Sequence, residues 1–249
     1  MRLTEAALSA WLVGALAGCA PAARPASLAS QVTQAEWTRA RARLASARAE
    51  IPRRPYAERV RVAMTEPRTG RQLVARGALA VRPGAAARML LLGPGGTTAV
   101  DLWVTPDRFR VAVPAANLVR RGGTDAGEAR GLPVGMLRWW FLAPLSGRLL
   151  AARAAERESS FWLRDREATV MVRTDGARFV ALRTEAGRSE SLEWRGARAA
   201  GTVGHAVYVD GQRGLRVEVL VEEVMGEEPD PAAFDEPGED GSPAGGEGS

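Results

Sequence analysis

Few side chains in this sequence could do covalent or metal chemistry. Its 249 residues include one cysteine, Cys19, and one histidine, His205, and all 34 basic residues are arginine. Protein zinc sites usually take three or four His, Cys or carboxylate ligands, so this set does not favour a zinc site. The sequence also lacks the G-x-S-x-G motif of a nucleophile elbow. The composition therefore predicts that the protein is not an enzyme and needs no metal or cofactor.

Two further candidates for chemistry have simpler structural explanations. His205 is in phase with Val203, Val207 and Val209 in a predicted strand, and alternate strand residues face the same side of a sheet. This phase favours a histidine packed on the apolar face over a metal ligand. Residues 93–98 have the glycines of a phosphate-binding loop without its lysine, so a hairpin turn explains them better.

Cys19 belongs to an N-terminal segment that resembles a bacterial lipoprotein signal. Residues 1–18 combine a short basic start with an apolar core, and residues 16–19 read Leu-Ala-Gly-Cys. The resemblance implies cleavage before Cys19 and acylation of its sulfur and new amine, with residues 19–33 as a lipidated tether. Several acyl chains would anchor the protein stably, since each buried methylene contributes about 0.8 kcal/mol. The alternative is an ordinary signal peptide with an incidental cysteine.

The rest of the chain shows one helical pattern followed by many strand patterns. Thr33 and Glu36 form a predicted capping box, and apolar residues recur every three or four positions through residues 33–51. From Tyr56 onward apolar residues alternate with polar ones, in about eleven or twelve segments divided by residues 131–145. Most of these segments have a single apolar face. We therefore expect a mainly β chain (α+β) over residues 34–225, a strongly curved antiparallel sheet wrapped over two helices.

Residues 131–145, GLPVGMLRWWFLAPL, form the most apolar run outside the signal segment and are named the lid here. Pro133 and Pro144 predict a helix of roughly ten residues between them, far short of the ~20 needed to cross a bilayer. A helix apolar on nearly all sides needs apolar partners on nearly all sides. It is either an ordinary buried helix or a cover over a lipid-sized cavity. Trp139 and Trp140 are adjacent, so they can face different surroundings.

Charge is distributed unevenly along the chain. Residues 226–249 contain eight acidic residues and no arginine, and since the whole chain carries +5, residues 1–225 carry +13. The arginines are scattered through the predicted strands, which indicates a solvated surface rather than a nucleic-acid site. The acidic, Pro- and Gly-rich residues 226–249 are typical of a disordered tail.

The order of these elements resembles the LolA/LolB lipoprotein-carrier superfamily, and LolB most, over about residues 34–224. Residues 77–81 (GALAV) match a strand of the family. Residues 90–102 (LLLGPGGTTAVDL) resemble its apolar strand, G-P-x-G turn and following strand. Residues 132–140 (LPVGMLRWW) resemble its L-P-x-x-x-L-R-x-W segment.

The resemblance implies an incomplete β-barrel closed by helices over an apolar cavity that accepts lipoprotein acyl chains. It also implies a position on the periplasmic face of the outer membrane and a soluble LolA-like carrier as partner; Ala20, which is not the aspartate of an inner-membrane retention signal, agrees with the outer membrane. Gly95 departs from the family, which has a protruding apolar residue at this membrane-insertion position. The candidate cavity and lid residues are Leu91, Leu102, Met136, Trp139, Trp140 and Phe141.

Two functions fit these expectations. The first is a monomeric, LolB-like, outer-membrane-anchored lipoprotein that binds lipid or lipoprotein acyl chains, with a role in lipoprotein localisation. The second is a structural or interaction lipoprotein of the cell envelope that has the same fold and no carrier activity. An empty apolar cavity of about 300–1,000 Å³ beneath the lid would favour the first, and a packed interior would favour the second.

Overall fold

The computed structural model describes residues 33–238 except 66, 68, 126–128, 130, 155–157, 176–177 and 197–203. The signal segment 1–18, Cys19, nearly all of the tether and residues 239–249 lie outside the described residues, so the acylation of Cys19 stays a prediction. Among the described residues, no helix is both long and apolar enough to cross a membrane.

One opening helix and thirteen strands make up most of the fold. Helix α1 spans Gln34–Ala49. The strands are β1 (Tyr56–Thr65), β2 (Gln72–Arg82), β3 (Ala86–Leu92), β4 (Thr98–Val104), β5 (Arg108–Val113), β6 (Leu118–Gly123), β7 (Arg148–Ala154), β8 (Ser159–Asp165), β9 (Ala168–Thr174), β10 (Arg178–Glu185), β11 (Arg188–Arg195), β12 (His205–Asp210) and β13 (Leu215–Val224). A π-helix occupies Met136–Leu142, and 3₁₀ turns occupy Pro94–Gly96, Pro114–Ala116 and Pro231–Phe234.

All thirteen strands form one antiparallel sheet in the order β6-β5-β4-β3-β2-β1-β13-β12-β11-β10-β9-β8-β7. The two edge strands, β6 and β7, do not pair, so the sheet is open. The single antiparallel, mainly β sheet predicted from the alternating segments is confirmed. The strand missing from the predicted set is β6, whose Leu118 and Val119 are both exposed and so give no alternation.

The inner face of the sheet carries the core. In β1 the inward residues Val60 and Val62 are completely buried, while the intervening Arg61 is exposed. Helix α1 packs on β7 and β8 through buried Ala40 and Leu44. Its predicted capping box is present: the Thr33 side chain accepts from the Glu36 N–H, and the Glu36 carboxylate accepts from the Thr33 N–H at 2.8 Å.

The phase predicted for β12 is wrong. Ala206 and Tyr208 face the core and are buried, whereas His205, Val207 and Val209 lie on the outer, partly exposed side; Val203 lies outside the described residues. Valine is common on half-exposed pleats because its branched side chain suits them, so three alternating valines do not identify the buried face. His205 Nε2 lies 3.6 Å from Glu218 Oε2, and its side chain is 41% exposed.

The structure also differs from the expected disordered tail. Residues 230–238, named the strap here, lie against the outer face of β2 and β3, where the turn Pro231–Phe234 packs. Phe234 is only 4% exposed. Averaged composition misses this contact because one aromatic side chain anchors an otherwise acidic segment.

Candidate functional site at the lid

The lid crosses the concave face of the sheet from β2–β3 to β10–β11. At one side the Gly84 N–H donates to the Leu142 carbonyl at 2.8 Å. At the other side Trp140 meets Phe179 of β10 and Trp194 of β11. Strands β1, β13 and β12 separate these two contact regions in the sheet order. A seven-residue helix can reach both only because the sheet curves around it.

The lid is helical over residues 134–142, and most of it is a π-helix rather than the predicted α-helix of about ten residues. The Ala143 N–H donates to the Arg138 carbonyl five residues earlier. Six of the seven π-helical residues are buried, and the exception is Arg138. The apolar surroundings expected on nearly every side of the lid are therefore present.

Five of the six candidate cavity residues border no empty apolar cavity; the sixth, Trp139, lines the polar pocket described below. Leu91 and Leu102 are 0% exposed, Met136 and Trp140 are 1% exposed, and Phe141 is 4% exposed. A side chain without accessible surface does not border a water-sized space. The apolar cavity expected beneath the lid is therefore filled by the chain's own side chains, because the curved sheet closes tightly on the lid's large residues.

The two adjacent tryptophans have different surroundings. The Trp140 ring lies 5.0 Å from the Phe179 ring in an edge-to-face arrangement and 6.2 Å from the Trp194 ring. The Trp139 indole N–H instead donates to Glu190 Oε2 at 2.7 Å. Trp140 thus belongs to an aromatic core, whereas Trp139 lines the polar pocket described next.

A pocket of about 240 Å³ lies between the lid and strands β10–β12. Glu190 lines it and accepts hydrogen bonds from Trp139 and from the Tyr208 hydroxyl. A Cβ at Gly135 would lie 2.8 Å from Glu190 Oε2 and 3.0 Å from the Tyr208 oxygen. A side chain at this position would therefore force the Glu190 carboxylate or the Tyr208 hydroxyl to move. The remaining lining includes both signs of charge: Asp125, Arg138, Arg183, Glu185, Arg188 and Asp210.

Burial controls the protonation of this pair. Loss of solvation raises the pKa of Glu190, and the hydrogen bond from Trp139 opposes the shift only in part. Burial and the nearby Glu190 carboxyl raise the pKa of Tyr208, so its hydroxyl stays protonated and remains a donor. Arg183 forms ion pairs with Asp165 at 2.8 Å and with Glu185 at 3.0 Å. The pocket is therefore a polar site that an apolar lid segment covers on one side.

Sequence reasoning missed Glu190 and Arg183, although a signal was present. Glu190 shares its strand phase with Leu192 and Trp194, which face the core. Arg183 shares its phase with Phe179 and Ala181, which also face the core. A charged residue on the inward phase of a strand needs a polar partner, so both positions predict a polar site under the lid.

The lid makes further polar contacts with a neighbouring loop and with α1. Arg138 forms an ion pair with Asp125, which lowers the pKa of that carboxyl. From α1, Arg48 donates to the Leu145 carbonyl at 3.0 Å and to the Gly147 carbonyl at 2.7 Å. Gly147 has φ +100°, and a Cβ there would lie 2.4 Å from the Arg164 carbonyl oxygen.

A turn and a groove complete the description of the predicted sites. The turn Pro94–Gly96 joins β3 to β4 as the predicted hairpin, and Gly95 at its tip is exposed with φ +74°. A groove of about 1060 Å³ adjoins the start of the lid at Gly131. Its apolar lining comes from Met64, Leu73 and Leu215, and Leu73 is 51% exposed.

Comparison with known proteins identifies the fold. No protein-family model and no curated protein matches the sequence. Among solved structures, a LolA superfamily protein from Nitrosomonas europaea matches with a TM-score of 0.54 at 13% identity, over 79% of this chain and 97% of the other. An outer membrane lipoprotein-sorting protein domain from Vibrio parahaemolyticus matches with a TM-score of 0.50 at 12% identity, over 78% of this chain and 95% of the other.

Proposed function

We propose that this chain, whose fold is that of the LolA superfamily, binds acyl chains of lipids or lipoproteins between the lid and the concave face of the sheet. The observation that carries the proposal is the lid itself. Six of its side chains are buried and apolar or aromatic, while few side-chain polar contacts hold it, through Arg48, Arg138 and Trp139. Moving the lid breaks these contacts and its apolar packing but breaks no pair of neighbouring strands.

The cost of exposing the lid's apolar side chains and the gain from burying an acyl chain are of similar size. Fully exposing six apolar side chains to water would cost about 9–18 kcal/mol, at about 1.5–3 kcal/mol each. A sixteen-carbon acyl chain gains about 12 kcal/mol when its methylenes are buried. An acyl chain that replaces the lid's contacts with the sheet therefore offsets most of the cost of moving the lid.

The groove beside Gly131 supplies an entry route. Met64, Leu73 and Leu215 supply its apolar lining, and Arg71 and Arg213 add basic groups that suit an acyl chain's carboxylate or headgroup. An acyl chain bound first in this groove would extend toward the lid's underside. The proposed role is binding rather than catalysis.

The proposed setting is the periplasmic face of the outer membrane, with the anchor on Cys19 and a LolA-like soluble carrier as the donor. The lipobox-like residues 16–19 support the anchor. Gly95 supplies no apolar side chain at the β3–β4 turn. The LolB-like step that we propose is therefore receipt of the acyl chains, without insertion by this turn.

The test is titration of a fluorescent sixteen-carbon fatty acid into the unacylated Cys19→Ser protein. Arg48→Ala removes the contacts with the Leu145 and Gly147 carbonyls, which lowers the free energy that holds the lid closed by about 1 kcal/mol. We therefore expect about fivefold tighter binding of the fatty acid. Arg43→Ala is the matched control, because Arg43 lies on the same helix and donates to Ser159 instead. Saturable binding that Arg48→Ala strengthens and Arg43→Ala does not change is the expected result.

A second function is favoured by the filled interior. An envelope lipoprotein that uses this fold as a rigid scaffold for interactions needs no cavity, and Leu91 and Leu102 are fully buried. This alternative predicts that neither the parent protein nor Arg48→Ala binds the acyl probe. That result would contradict acyl binding.

A further inference from the structure

The strap lies on a surface of the sheet that is formed by residues more than a hundred positions earlier in the chain. This strap face is the outer side of β2–β6 and includes Arg82, Arg88, Asp101, Trp103, Arg108, Arg110 and Arg121. The Phe234 side chain is buried, with the Arg82 guanidinium 4.3 Å from its ring centroid. Two donors of the face bind strap carbonyls: Trp103 Nε1 to Phe234 at 2.8 Å and Arg110 Nη2 to Gly238 at 2.9 Å.

The charges of the two surfaces are complementary. Glu236 of the strap lies 3.6 Å from both Arg108 and Arg121. The residues named above comprise five arginines and one aspartate, whereas residues 226–249 contain eight acidic residues and no arginine. The strap therefore contributes one aromatic ring, the buried Pro237, two main-chain carbonyls and one carboxylate, and none of these groups is specific to a covalently attached segment.

The surface beneath the strap contains a buried charged cluster beside Trp103. Arg88 binds Asp101 through two hydrogen bonds of 2.9 Å, and Arg110 Nη1 lies 3.4 Å from the same carboxylate. All three residues are buried, at 8%, 4% and 1% exposure. Burying two arginines against one carboxylate leaves one positive charge without its own counter-ion, and the loss of hydration can exceed the gain from pairing. Such a surface suits a site that is alternately covered and solvated.

The segment between β13 and the strap would allow the strap to leave the sheet. Strand β13 ends at Val224, and residues 225–228 are all exposed. The strap makes none of the sheet's ladder pairs. Releasing it would uncover Phe234 and the strap face while every pair of neighbouring strands stays bonded.

We propose that the strap face is a docking site for an acidic protein segment with an aromatic anchor, and that the strap occupies it as a tethered competitor. The partner's segment would place a phenylalanine under Arg82, carbonyls on Trp103 and Arg110, and a carboxylate between Arg108 and Arg121. A partner of this chemistry binds when it displaces the strap. This interaction does not depend on acyl binding at the lid.

The test uses a labelled peptide with the sequence of residues 228–238, added to the full-length Cys19→Ser protein and followed by fluorescence anisotropy. Tethering gives the strap an effective concentration of about 1 mM, so the parent protein should bind the peptide weakly. Phe234→Ala in the protein weakens the tethered competitor, and we expect at least tenfold tighter peptide binding. A peptide carrying Phe234→Ala is the control and should not bind.

A second protein keeps every native side chain in case Phe234→Ala disturbs folding. A protease site is inserted between residues 226 and 227, where the chain is exposed, and cutting it removes the tether. The labelled peptide should then exchange into the cut protein and not into the uncut one. Failure of both proteins to bind while they stay folded by circular dichroism would overturn the proposal. So would equal binding of the two peptides, or concentration-dependent dimers of the parent, which would assign the face to a second copy's strap.

Discussion

Replacing Trp140 with alanine tests whether the lid is packed as a core element. The side chain is 1% exposed and contacts the rings of Phe179 and Trp194, with centroids 5.0 Å and 6.2 Å away. Trp140→Ala would leave a large hole at the junction of the lid with β10 and β11. The surrounding strands are held in register by their ladders, so the hole cannot collapse fully.

The expected loss follows from that burial. Emptying a packed aromatic site costs about 3–5 kcal/mol, and edge-to-face partners contribute about 0.5–1.5 kcal/mol per pair. We therefore expect Trp140→Ala to lose about 4 kcal/mol of unfolding free energy in urea denaturation. For a domain of this size the corresponding fall in Tm is about 8–16 °C.

Trp162→Ala is the matched control. Trp162 is a tryptophan of β8 that is only partly buried, so its loss should cost less than about 2 kcal/mol. If Trp140→Ala were no more destabilising than Trp162→Ala, the lid would not be packed into the core. The conclusion that the interior is filled would then be wrong.

Three further predictions address the pocket and the strap. Because burial raises the pKa of Glu190 above its ordinary 4.5, the folded state holds this proton more tightly, and stability is lost as pH rises through the raised pKa. Glu190→Gln should remove that loss, so its Tm advantage over the parent should grow between about pH 4 and about pH 8 in differential scanning fluorimetry. Gly135→Ala places a Cβ 2.8 Å from Glu190 Oε2 and should cost about 1–3 kcal/mol in urea denaturation; an unchanged midpoint would contradict the close approach. Phe234→Ala should cost about 1.5–3 kcal/mol because the burial of its ring is lost, whereas Glu236→Gln should change stability by less than about 1 kcal/mol, since its ion pairs are solvent-exposed. Equal melting curves for these two strap variants would show that Phe234 does not anchor the strap.

Much of the fold could be predicted from local patterns. The Thr33–Glu36 capping box fixes the start of α1, since its signal is contained within four residues. Alternation identified twelve strands because most have one buried and one solvated face. Strand β6 was not predicted because it is an edge strand whose Leu118 and Val119 are both exposed.

The remaining features depend on contacts that a local pattern does not contain. The buried face of β12 could not be chosen from Val207 and Val209, because valine suits both faces. The π-helical hydrogen bonding of Met136–Leu142 has no residue signature, and the filling of the interior depends on how closely distant strands approach. The strap depends on Phe234 meeting a basic surface more than a hundred residues earlier, as in the bond from Trp103. The strand phase of Glu190 could have been predicted to face the core. Its partners Trp139 and Tyr208 could not, because they come from other elements.

The central claim is that acyl chains bind between the lid and the concave face of the sheet. Brominated fatty acids test it most directly, because bromine quenches tryptophan fluorescence only near contact. The measurement compares quenching in the parent Cys19→Ser protein, in Trp140→Phe and in Trp103→Phe, where Trp103 lies under the strap on the outer face. We expect saturable quenching in the parent that Trp140→Phe reduces, with the remainder from Trp139 and Trp194 beside it, and that Trp103→Phe retains in full. Absence of saturable quenching in the parent, or equal quenching in all three proteins, would contradict acyl binding beneath the lid.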